Sequence, residues 1–183
     1  MNKPVHLTPT TYTERHRCCF GGTLPFLFHL IILCGGLISC GGYHIRSLQK
    51  MEKSSSYKDL SEILLDSPHS YVRLASIESL QKSLTHWQED DIVVQNLQKS
   101  ISSTTEKCYI KAQVAYTLGQ IHYEPAVEHI IQALHACDDE SRYWMVISLL
   151  ELASISEVAK GELYSLSHDS DIFISNSVQS WLP

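Results

Sequence analysis

The feature that most constrains this 183-residue chain is a helical hydrophobic pattern that recurs along it. Between Thr117 and Leu152, two amphipathic segments follow one another across a short acidic break. In the first, Val127, Ile130, Ile131 and Leu134 stand at i, i+3, i+4 and i+7, so they form one stripe of a helix, with Glu128, His129 and Gln132 turned elsewhere. Pro125 suits its first turn, where φ is already helical and a missing N–H removes no bond. Asp138, Asp139 and Glu140 then interrupt the pattern and place negative charge at the positive end of a second helix. On that inner helix, Met145, Ser148, Leu149 and Leu152 fall within about a third of the circumference and mark a buried face. A pair this short cannot hide both stripes alone, so it requires a similar neighbour on each side.

Those neighbours are in the chain. Val72-Arg73, Ile110-Lys111, Ser141-Arg142 and Phe173-Ile174 align as the starts of four inner helices, and seven residues beyond each second member stand Leu80, Leu118, Leu149 and Trp181. The successive spacings are 38, 31 and 32 residues. Small or apolar residues fill the slots between: Ser76 and Ser79, Val114 and Thr117, Met145 and Ser148, Ser177 and Ser180. First helices are expected around Leu60, Ile63 and Leu64, around Val93 or Val94, Leu97 and Ile101, and around Ala159, Leu163 and Leu166. Pro68 ends the earliest of them, and the inner helix that follows is expected to run from Tyr71 to about Leu84.

The segment Ile110-Lys111-Ala112-Gln113-Val114-Ala115-Tyr116-Thr117-Leu118-Gly119-Gln120-Ile121, followed by Glu124-Pro125-Ala126-Val127, resembles the HEAT repeat family in its short bacterial form. The resemblance covers residues 57 to 182 and is weaker in the first and fourth units, where Gln81 follows Leu80 in place of glycine and Ile174 replaces the basic residue. It implies an all-α fold, a short α-solenoid of about four helix pairs over residues 57–183. It also implies that Arg73, Lys111 and Arg142 pair with acids in neighbouring turns. A plain helical bundle is the alternative.

The front of the chain has a different character. Residues 1 to 23 carry Lys3, Arg15 and Arg17 against Glu14, and Leu24 to Ser39 follow without a fixed charge. That is the layout of a secretory signal, and the apolar run, about 16 residues long and broken by Pro25 and Gly35-Gly36, is short for a membrane span. Leu37-Ile38-Ser39-Cys40 resembles a bacterial lipobox, which implies a signal peptide over residues 1–39 and acylation of Cys40. Two or three acyl chains hold a protein on a bilayer where one does so only marginally. Residues 40–56, with Ser54-Ser55-Ser56, read as a tether. Gly41 after the cysteine implies the outer rather than the inner membrane in a two-membrane bacterium. A start at Met51 would instead leave a cytosolic scaffold.

Beyond residue 39 the chain holds 11 Lys+Arg against 19 Asp+Glu, a net charge of −8. An acidic protein is a poor partner for nucleic acid, which demands clustered cations, and a poor one for anionic headgroups. No catalytic or metal motif emerges from ten histidines. His122, His129 and His135 are spaced by seven and six residues, and a pair six apart lies about 240° round a helix. No cofactor, no small-molecule substrate and no catalysis are expected.

Two sets of residues remain. Cys108 and Cys137 open one inner helix and close the next first helix, so they are near enough to pair in an exported protein, or stand as two thiols. Tyr116, Tyr143, Ile147 and Leu150 project away from the predicted core with Trp144 beside them, a patch suited to a protein partner. The expected function is therefore a lipid-anchored protein-binding scaffold. The alternative is an envelope assembly factor that self-associates through Phe173 and Trp181.

Overall fold

The computed structural model describes residues 56–137 and 140–182. These residues form nine α-helices and one 3-10 turn, with no strand among them. The helices are α1 (Tyr57–Asp66), α2 (Ser70–Gln81), α3 (Leu84–Trp87), α4 (Asp91–Ser102), α5 (Cys108–Gln120), α6 (Val127–Ala136), α7 (Ser141–Leu152), α8 (Glu157–Leu166) and α9 (Ile172–Trp181). The signal segment 1–39, Cys40 and the tether as far as residue 55 lie outside the described residues, as do Asp138 and Asp139.

Local chemistry sets the helix ends. Asp90 Oδ1 accepts from the amides of Ile92 and Val93 at 3.0 and 3.4 Å, and Asp171 Oδ1 accepts from that of Phe173 at 2.9 Å. Each caps otherwise unpaired donors and brings negative charge to a helix N-terminus. Pro125 sits in the 3-10 turn Glu124–Ala126 that leads into α6. At the end of α5, His122 adopts φ 52°, the Tyr123 amide donates to Leu118 O at 3.0 Å and the His122 amide to Gly119 O at 2.9 Å. This double bond around a left-handed residue is a Schellman ending, normally built on glycine.

Helix contacts fall into two rows. In one, α1 packs on α4, α4 on α6 and α6 on α8; in the other, α2 packs on α5, α5 on α7 and α7 on α9. Each member of the first row also packs on the inner helix that follows it in the chain: α1 on α2, α4 on α5, α6 on α7 and α8 on α9. The core lies between the rows. Leu60, Leu64, Leu97, Ile130, Leu134 and Leu163 fill it from one side, and Leu80, Ile110, Leu118, Met145 and Leu149 from the other, all fully buried.

Three details differ from the sequence reading. The second helix stops at Gln81 instead of Leu84, and the short α3 follows with Trp87 buried beneath it, its indole N–H donating to Leu80 O at 2.8 Å. This added turn accounts for the long first spacing of 38 residues. Ile63 and Ile131, expected in the stripes, are only half-buried. The fourth inner helix is shifted by one residue: Ile174 and Val178 are fully buried, whereas Phe173 is 73% and Trp181 37% exposed. Leu182, not Trp181, takes the slot of Leu80, Leu118 and Leu149, and it packs partly against the core.

Candidate functional site

Counting from the first buried residue of each inner helix (Val72, Ile110, Ser141, Ile174) defines equivalent positions. The ninth onward is Gln81 in α2, Gly119 in α5 and Leu150 in α7. This position faces the following inner helix. Gln81 Nε2 donates across to Gln113 O, Gln113 Oε1 and Thr117 Oγ1 at 3.2, 3.1 and 3.0 Å. At Gly119 a Cβ would stand 3.0 Å from Ser148 Cα and 3.1 Å from Ser148 Cβ, so the absence of a side chain lets α5 and α7 approach closely.

That approach brings the aromatic residues together. The ring of Trp144 lies 5.6 Å from that of Tyr116 at 77° and 5.9 Å from that of Tyr143 at 78°. Edge-to-face pairs of this kind contribute about 0.5–1.5 kcal/mol each beyond burial. Gln120 Nε2 donates to the Tyr116 hydroxyl at 3.0 Å. Tyr116 and Ile147 occupy the same position, the sixth, on neighbouring helices. All five residues of the expected patch (Tyr116, Tyr143, Trp144, Ile147 and Leu150) are half-buried. Trp144 and Leu150 pack against the core as well, and Trp144 meets Tyr116 of the preceding inner helix.

Two further aromatics escaped the sequence reading. Tyr71 and Tyr109, 45% and 40% exposed, each immediately precede the first buried residue of an inner helix. Their shared position was the available signal.

At the opposite end of α5, Cys108 and Cys137, 29 positions apart in the chain, are joined: Sγ–Sγ is 2.07 Å and Cα–Cα 5.9 Å. The bridge ties the first residue of α5 to the residue that closes α6. Closing a loop of that length contributes roughly 3 to 4 kcal/mol on the chain-entropy model.

The basic residues of the inner helices turn into the fold. Arg73 donates Nε and Nη2 to the two oxygens of Glu106, both at 2.9 Å, and Nη1 to Ser67 O at 2.6 Å. Arg142 donates Nη2 to Asp169 Oδ2 at 2.6 Å. Both acids lie in the turn of the next unit, so each pair links consecutive units. The Arg142 hydrogen bond holds the Asp169 carboxyl below its ordinary pKa of 3.8, against a smaller opposing effect of burial. Lys111, at the equivalent position in α5, is 8% exposed.

Among the described residues no three His, Cys, Asp or Glu side chains gather to hold a metal ion. His135 Nε2 lies 2.9 Å from Glu162 Oε1, a close approach that is not aligned as a hydrogen bond. A small cavity of about 150 Å³ opens between Leu64, Leu65, Arg73, Ser100, Ser103, Thr105 and Glu106. No helix among the described residues is long and apolar enough to cross a membrane. Compared with protein-family models, with curated proteins and with solved structures, the chain matches none.

Proposed function

We propose that residues 57–183 form a short α-solenoid of about four HEAT-like helix pairs and that the protein is a bacterial lipoprotein, held on a membrane of the cell envelope through acylated Cys40, the outer one in a two-membrane bacterium. It serves as a non-enzymatic scaffold that docks another protein along its inner helices. The row-on-row packing supports the repeat reading, since each inner helix touches the inner helix of the next unit. The observation that carries the docking reading is the contact of Tyr116 on α5 with Trp144 and Tyr143 on α7. It forms a single aromatic shelf across two units, and tyrosine and tryptophan are enriched among the few residues that carry most protein-binding energy.

The shelf is tested by replacing Tyr116, Tyr143 and Ile147 with serine and purifying the tagged chain from membranes. Loss of the co-purifying partner with unchanged helical circular dichroism is expected; undiminished capture would refute the shelf. The anchor is tested separately by labelling cells with an alkyne fatty acid. Label that depends on Cys40 is expected, and an unlabelled chain would remove it.

A second reading rests on the exposure of Ile172 and Phe173, 65% and 73%. Self-association through this end, with Trp181, would make an assembly factor. Sedimentation that changes with concentration, and ceases to do so in F173S, would favour it.

A further inference from the structure

Within the docking reading, and resting on it, the geometry points to a cationic partner: we infer that the shelf receives a protein segment rich in arginine or lysine. The argument is the distribution of charge between the two sides of the inner helices. Arg73 and Arg142 are turned inward and consumed by Glu106 and Asp169, and Lys111 is buried. None of these three presents its charge to the shelf.

The acids are placed the other way. Glu78 of α2 is exposed at the sixth position, the position of Tyr116 and Ile147 on the two helices that follow. Glu151 is exposed on α7 one turn beyond Ile147. Lys82, at the end of α2, is the base on this side. Among the described residues, the side of the inner helices that carries the aromatic trio thus exposes two carboxylates, Glu78 and Glu151, against one ammonium.

Aromatic faces and carboxylates share one preferred ligand. A guanidinium or ammonium is drawn to the ring quadrupole and, at the edge of the ring, to a carboxylate that arginine meets with two parallel bonds. The same border repels acidic peptides, anionic headgroups and phosphates, so it selects among partners as well as binding one. Because the acids sit at the solvent-exposed rim, the attraction acts mainly on encounter and is weakened by salt.

The test uses the full chain in non-ionic detergent micelles. The probe is a fluorescein-labelled peptide of about a dozen residues in which Arg alternates with Ala, compared with versions carrying Gln or Glu in place of Arg. By anisotropy in low salt the Arg peptide is expected to bind at least about tenfold more tightly than the other two. E78Q/E151Q is expected to cut that preference about fivefold, and E78K/E151K to transfer it to the Glu peptide. Both positions are exposed, so these variants retain the fold, and circular dichroism checks that they do.

Equal binding of the three peptides, no binding of the Arg peptide, or an affinity unmoved by E78K/E151K would overturn the cationic partner. The serine triple variant separates this failure from failure of the shelf. If that variant loses its membrane partner while the peptides show no charge preference, the shelf stands and its cationic ligand falls. If both partner capture and Arg-peptide binding survive the serines, the shelf itself falls and the inference with it.

Discussion

Two backbone positions in and after α5 govern more than their size suggests. At His122 the left-handed conformation, φ 52°, costs a side-chain-bearing residue about 1 kcal/mol that glycine avoids. His122→Gly is therefore expected to raise the denaturant midpoint, with a gain of about 0.5–1 kcal/mol. Gly119 behaves oppositely. A methyl group there meets the backbone of α7 at Ser148, 3.0 Å away, and backbone cannot step aside as a flexible side chain can. Gly119→Ala is expected to cost about 1–3 kcal/mol and to part Tyr116 from Trp144, which thermal melts and partner capture would read together. A variant of wild-type stability would show that α5 and α7 can separate freely.

At the scale of elements, the inter-unit ion pairs carry the sharpest expectations. Both side chains of the Arg73–Glu106 pair are largely shielded, 13% and 7% exposed. Removing the cation by Arg73→Ala leaves a carboxylate deprived of its partner in that setting and is expected to cost about 3 kcal/mol. The Arg142–Asp169 pair yields a pH dependence. The folded pKa of Asp169 lies below 3.8, so near that pH the unfolded chain binds more protons than the folded one. Its stabilising contribution is complete above pH 3.8 and is lost as the pH falls through and below that value. Urea midpoints measured from pH 6 to pH 3 should fall more steeply for wild type than for Asp169→Asn; parallel curves would deny the pair that role.

These elements also show what was legible in the residues. Stripes such as Val127, Ile130 and Leu134 predict burial because the period of a helix is fixed by its backbone, and all three are buried. The short α3 was not legible, since four residues, Leu84 to Trp87, span barely one turn and display no period. The register of α9 slipped because Phe173 and Ile174 are adjacent and both apolar, so spacing alone could not say which faces inward. For the patch, a helical wheel supplies an angle but not the position of the next helix. The seating of Trp144 against Tyr116 depends on the approach that Gly119 permits, which no single helix encodes.

At the scale of the molecule, helix pairs that pack on one another lend each other stability. Deleting residues 155–183 removes α8 and α9, strips Asp169 from Arg142 and uncovers the part of α7 that packs on both helices. Such a chain is expected to unfold at least about 3 kcal/mol more easily and to associate as its concentration rises. A truncated chain that sediments as a stable monomer would contradict this dependence.

The Cys108–Cys137 bridge has a mechanical corollary for a chain pulled from its two ends. Stretched between its ends, the oxidised chain cannot pay out the segment between the two cysteines, which stand 29 positions apart. Its fully extended contour is therefore about 100 Å shorter than that of the reduced chain, a difference that optical tweezers resolve in a single pulling trace. Under load the second and third units yield as one, and a reductant lengthens the leash.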